Sequence, residues 1–158
     1  FSNFINRSLS LSWKNFDGNI KGKIDNKFKK EIDKKIKKIL ELFENVELRG
    51  ALKEILKLSS LGNKYIDNKA PWKTKDIDVL FNCANLTKVL GLLIQPYLPK
   101  TSIKILKMIN CNEKDWSNLN EFNIIKLNKP DLLFKKLDDE LINSLKKKTS
   151  KVTEFKIK

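Results

Sequence analysis

The sequence predicts an all-α fold, an antiparallel bundle of about five helices with an irregular C-terminal strap and a short final helix. Three observations predict it. Apolar residues recur every three or four positions through most of residues 1–110, the period of one helix face. Strand-like alternation is nearly absent. Gly18, Gly22, Pro71 and Pro96 fall at breaks between the periodic stretches, where turns belong.

A first helix is expected from Ser2 to Phe16, carrying Phe4, Ile5, Leu9, Trp13 and Phe16 at helical spacing, with Trp13 in the core. Gly18 and Gly22 mark a turn. Ile24, Phe28, Ile32, Ile36, Ile39, Phe43 and Val46 define the clearest amphipathic helix, with lysines and acids between them. Its lysine-rich face reads first as a solvated surface. A third helix runs from about Leu48 to Ile66, with Leu52, Ile55, Leu56 and Ser59 on one side.

Asp76 is the expected N-cap of a fourth helix carrying Leu80, Cys83, Ala84, Val89, Leu90 and Leu93. Its apolar residues cover more than one face, as in the most enclosed helix of a bundle, and Pro96 ends it. Thr101 or Ser102 is expected to cap a fifth helix containing Ile105, Leu106 and Ile109. From Cys111 to Leu137 the period is broken by Asn, Asp, Ser and Pro130, which gives a strap in which Trp116 packs locally. A short helix over Asp138–Lys147 and a basic tail follow. The expected division is a bundle over 1–110, strap and helix over 111–148, and a linker or tail over 149–158. No internal repeat and no second core are visible.

The 158 residues suit one domain with a real core. A hydrophobic share of 41% against 33% charged makes the chain globular. The net charge of +14 favours a polyanionic partner, nucleic acid before an anionic membrane surface. A general lysine bias of the source proteome accounts equally well for most of the lysines. The two arginines are different, because arginine offers planar, multi-donor geometry that lysine lacks. Arg7 is the better recognition candidate, while Arg49 is expected to cap a helix or pair within the bundle. No histidine is present, so imidazole chemistry is excluded. Cys83 and Cys111 are too isolated for a zinc set, and Cys83 reads as a core residue. The apolar run Val89–Ile94 is far short of the ~20 residues a membrane span needs. A cytoplasmic protein is the expectation. The first residue is Phe1, so the first helix is expected to begin upstream in a longer polypeptide.

Asn3 and Arg7 stand one helical turn apart, side by side on one face. Pro71 bars continuation of the third helix and disfavours helical geometry at Ala70, so Trp72 is presented from a rigid corner. An amide, a guanidinium and a presented indole can hydrogen-bond and stack an unpaired nucleotide base. Lys64, Lys69, Lys73 and Lys75 surround the corner as point charges suited to phosphates. Asn63 and Tyr65 read as supporting residues. Tyr65 lies on the apolar side with its hydroxyl in reach of the corner, and Asn63 braces the loop or contacts RNA backbone. No glycine-rich phosphate loop or catalytic constellation is present.

In order along the chain, Asn3-Phe4-Ile5-Asn6-Arg7, Gly50-Ala51-Leu52, Asn63-x-Tyr65, Ala70-Pro71-Trp72 and Pro96-Tyr97-Leu98-Pro99 resemble the anticodon-binding domain of methionyl-tRNA synthetase. Leu132-Leu133-Phe134-Lys135-Lys136-Leu137-Asp138 is similar to a worn copy of the family's Pro-Leu-Phe-Pro-Arg-Ile segment. The Asn-x-Tyr…Pro-Trp string is the most specific piece and favours this family over the leucyl or cysteinyl bundles. A basic helical protein-interaction module is the reading from a different class.

The resemblance implies that Asn3 and Arg7 contact the first anticodon base, a cytosine, and that Trp72 stacks on an anticodon base, with Pro71 setting the corner. It implies a methionine-specific tRNA as partner, and a catalytic domain or subunit elsewhere that uses ATP, with zinc there left open. No cofactor is implied for this chain. The stretch Lys146–Lys151 is not the class I Lys-Met-Ser-Lys-Ser signature, because the methionine and second serine are absent.

Overall fold

A computed structural model describes residues 1–112 and 115–134. The expected final helix over Asp138–Lys147, the tail and the Lys146–Lys151 stretch lie outside them. The chain forms α1 (Ser2–Phe16), α2 (Asn26–Glu44), α3 (Leu48–Lys69), a short α4 (Pro71–Thr74), α5 (Ile77–Leu93) and α6 (Pro99–Met108). The fold is all-α, as expected, with the one-turn α4 added at the Pro-Trp corner.

The helix ends follow local chemistry. Asp25 caps α2 by accepting from the amides of Lys27 and Phe28, and Asp76 caps α5 by accepting from Asp78 and Val79. These boundaries leave Ile24 and Val46 outside α2, so both are exposed although they fit its apolar period. Helix α6 starts earlier than expected. Pro99 occupies its first turn, where a fixed φ and a missing N–H cost nothing. Thr101 and Ser102 therefore lie inside the helix, and Ser102 is fully buried instead of capping. On α3 the buried stripe is Ala51, Ile55, Leu58, Ser59, Gly62 and Ile66, while Leu56 turns outward with 45% exposure.

Contacts between α2 and α3 descend in register: Asp25 meets Tyr65, Lys35 meets Glu54, and Leu42 lies against Gly50. The two helices are therefore antiparallel. Between α1 and α3 the pairs ascend, Asn3 with Asn63 and Arg7 with Asp67, so those two run parallel. Helix α5 fills the centre, buried continuously from Val79 to Leu93. Its polar residues are ties. Asn82 accepts from the Asp25 amide and donates to the Lys23 carbonyl, which fixes the α1–α2 connection. Asn85 donates to the Ile124 carbonyl and accepts from its amide, pairing with the strap as another strand would.

The strap returns across the bundle, and Leu119, Ile124, Leu127 and Leu133 enter the same core as the helices. An isolated β-bridge pairs Asn19 with Lys126, and Trp116 donates to the Leu92 carbonyl while its ring lies 4.9 Å from Phe43. Trp13 is only half-buried, its ring lying against Gly18. Cys83 is buried, and burial pushes its thiol well above the usual range.

At Gly62 the α3 backbone meets Phe4 of α1 and Leu86 of α5. A Cβ there would sit 2.6 Å from the Phe4 ring and 2.7 Å from Leu86. Gly62→Ala should therefore cost roughly 1–2 kcal/mol through overpacking, despite alanine's better helix propensity. Denaturant unfolding measures it, and unchanged stability would mean that Phe4 moves aside freely.

Candidate nucleic-acid interface

Arg7 lies on α1 and Trp72 on α4, and the α3–α4 corner brings them together. Helix α3 ends where Ala70 takes a left-handed φ of 46°, and Pro71 begins α4 at once. Pro71 is buried and Trp72 is 44% exposed, so the corner is anchored by one residue and presents the next. The Arg7 guanidinium lies 5.5 Å from the centre of the Trp72 ring, within cation–π range. Arg7, Trp72, Asn6, Ser10 and Leu11 line an open hollow of about 450 Å³. Such a hollow offers a π face, a guanidinium and small polar groups side by side, which suits a planar heteroaromatic ring.

Asn3 is exposed one turn away and donates to the Asn63 side-chain oxygen at 3.4 Å. Asn63 in turn donates to the Ser59 carbonyl, so it braces Asn3 rather than the corner loop. Tyr65 does not reach the corner. Its hydroxyl donates to Asp25 at 3.2 Å and its ring stacks on Phe28 with centroids 3.7 Å apart. Burial first, and then the Asp25 charge, push its hydroxyl pKa well above the usual range. Tyr65 thus locks α2 to α3 behind the site. Lys64, Lys69, Lys73 and Lys75 are all exposed. Lys69 stands 3.8 Å from Asp25 and over the Tyr65 ring.

Asp67 escaped the sequence reading. Its carboxylate accepts from Arg7 Nη2 at 2.7 Å, fixing the guanidinium beside Trp72. The signal that could have found it is spacing, since Asn63 and Asp67 on α3 repeat the four-residue interval of Asn3 and Arg7 on α1. Asn6 was likewise missed as a lining residue, and its side-chain oxygen accepts from the Leu133 amide of the strap. Among the described residues Arg49 neither caps a helix nor pairs. It is exposed in the first turn of α3. Among those residues no group of three Cys, Asp or Glu could hold a metal ion, and no helix is long and apolar enough to cross a membrane.

Fold and site define a class: an all-α, strongly basic module that holds a polar and aromatic cluster open at its surface. Residues 16–154 match the family model described as the anticodon binding domain of methionyl tRNA ligase. The chain belongs to that family. It is 39% identical over 95% of its length to methionine–tRNA ligase of Borrelia garinii subsp. bavariensis, covering 22% of that protein. It is 35% identical over 89% of its length to methionine–tRNA ligase of Pyrococcus abyssi, covering 21%. The chain thus spans about a fifth of the length of these curated relatives. The solved structure of the free Mycobacterium tuberculosis methionyl-tRNA synthetase shares the fold, with a TM-score of 0.76, 21% identity, and coverage of 86% of this chain and 31% of that one.

Proposed function

We propose that this chain binds the anticodon of methionine tRNA as the tRNA-recognition part of a methionyl-tRNA synthetase acting in the cytoplasm. Adenylate formation with ATP, and any zinc, belongs to a catalytic part outside these residues. The observation that carries this reading is the hollow in which Arg7 and Trp72 face one ligand-sized space. The Trp72 indole stacks an unpaired base, and Arg7 addresses acceptors on that base's edge. Cytosine presents O2 and N3 as acceptors, whereas N3 of uracil is a donor, so an arginine that only donates favours cytosine. Asn3, held by Asn63, adds an amide that both donates and accepts. Lys64, Lys69, Lys73 and Lys75 attract the flanking phosphates.

Two stem-loops that differ only in cytosine or uracil at the first anticodon position test the reading at fixed salt. The parent chain should prefer cytosine. Arg7→Lys keeps the charge and loses the planar fork, so it should narrow that preference roughly fivefold, about 1 kcal/mol. Equal weakening for both loops would make Arg7 a phosphate contact. Absence of any cytosine preference in the parent would overturn the assignment.

A further inference from the structure

Helix α2 carries seven lysines, and the structure sorts them into two sets. Lys29 pairs with Asp33, while Lys35 and Lys38 pair with Glu54 of α3. Lys27, Lys30, Lys34 and Lys37 are all exposed and make no side-chain ion pair or hydrogen bond among the described residues. Their three- and four-residue spacing aligns them along the outer face of α2, opposite buried Phe28, Ile32, Ile36 and Ile39. At 1.5 Å per residue the stripe is about 15 Å long.

The order of charge along α2 opposes helix stability. Lys27, Lys29 and Lys30 fall near its start, where the macrodipole is positive, the other four lysines in its middle, and Glu41 and Glu44 at its end, where the dipole is negative. A general lysine bias supplies lysines without regard to which end of a helix receives them. Here the side chains add to the dipole instead of offsetting it, and they build a positive pole at the start of α2. That pole adjoins the corner. Asp25, at the head of α2, is bonded to Tyr65 and lies 3.8 Å from Lys69 at the end of α3. Between the two helices runs a groove of about 380 Å³ whose cations are Lys27, Lys64 and Lys69. Its acids are Asp25, engaged as the α2 cap, and Glu31, beside the stripe.

We propose that Lys27, Lys30, Lys34 and Lys37 form a second contact surface, which follows the phosphodiester backbone of the RNA stem whose loop is read at the Arg7–Trp72 hollow. This rests on the anticodon reading and extends it from the loop to the paired stem. A membrane surface fits less well, because the outer face of α2 interleaves no apolar side chain that could enter lipid. The stem is read as charge alone, so the stripe contributes affinity and salt dependence but no base preference.

The test uses the full 158-residue chain and its K27Q/K30Q/K34Q/K37Q variant. Each is titrated over a range of salt with a long-stem hairpin bearing the cytosine loop, with its uracil counterpart, and with the loop on a minimal stem. The variant should bind the long-stem hairpin roughly tenfold more weakly at low salt, and its salt slope should fall by about two to four. Its cytosine-to-uracil ratio and its affinity for the minimal stem should stay near those of the parent. Its melting temperature should hold or rise, because like charges three and four residues apart on one helix face have been removed. An unchanged slope and affinity, with cytosine preference intact, would overturn the stripe alone and leave the anticodon reading standing. Loss of cytosine preference already in the parent would overturn both. Equal losses for long and minimal stems, or binding of the parent to anionic phosphatidylserine vesicles that the variant loses without any change toward RNA, would also overturn the proposal.

Discussion

Trp72→Ala should bind a methionine anticodon stem-loop roughly five- to a hundredfold more weakly than the parent, a loss of about 1–3 kcal/mol. The indole supplies a stacking face, and every base has a π surface, so cytosine and uracil loops should lose similar amounts. The fold should survive. Trp72 is 44% exposed, and Pro71, not Trp72, is the buried residue of the corner. Arg7 keeps its Asp67 partner after the indole is removed, so its guanidinium stays on the α1 face. Circular dichroism separates the outcomes: a variant that loses helicity would make Trp72 a structural residue, and one that binds normally would remove stacking from the mechanism.

Glu54→Gln should have the largest effect on stability, about 2–3 kcal/mol by denaturant unfolding. Glu54 is 4% exposed between α2 and α3, and its carboxylate accepts from Lys57 at 2.7 Å, Lys35 at 3.0 Å and Lys38 at 3.3 Å. Removing the shared anion leaves three ammonium groups crowded together, and breaking a buried pair from one side commonly costs about 3–5 kcal/mol. Partial exposure of the lysines lowers that figure, because water screens them. Removing any one lysine should cost less than about 1 kcal/mol, since two remain.

The Glu54 carboxyl is held at about 2 against an ordinary 4.5, chiefly by Lys57 and then Lys35. Depression of a folded-state carboxyl pKa makes its contribution complete above about pH 4.5. The contribution shrinks as the pH falls below that and is gone once the pH drops through about 2. Glu54→Gln should therefore flatten the stability profile between those limits. A parallel offset at every pH would show that the lysines do not hold the carboxylate.

The bundle was legible because its information is local. Periodicity marked α1, α2, α3 and α5, and Asp76 announced its own helix. Boundaries that depend on competition were harder, as at α6, where the fixed backbone of Pro99 outruns the hydroxyls of Thr101 and Ser102. Leu56 and Val46 show another limit, since apolar identity fixes neither which side of a helix is covered nor where the helix stops. In the site, Arg7 and Trp72 were visible as unusual residues in unusual places. Asp67 was not, because its four-residue interval from Asn63 gains meaning only beside that of Asn3 and Arg7, sixty residues away. Tyr65 was read on the apolar side with its hydroxyl toward the corner, and its bond to Asp25 was not legible because the head of α2 meets the end of α3 only in the folded chain.

The bond from the Leu133 amide to Asn6 ties one wall of the hollow to the strap. A donor that reaches the Asn6 amide oxygen from the hollow shares it with the strap, since an amide oxygen has two lone pairs. By reciprocity, a partner that holds the strap away alters affinity in the hollow by the same factor that filling the hollow alters the strap's attachment. A single neutral hydrogen bond of about 0.5–1.5 kcal/mol sets the scale of that exchange at roughly two- to twelvefold. A ligand of the hollow that touches Asn6 would thereby be coupled to the strap at Leu133.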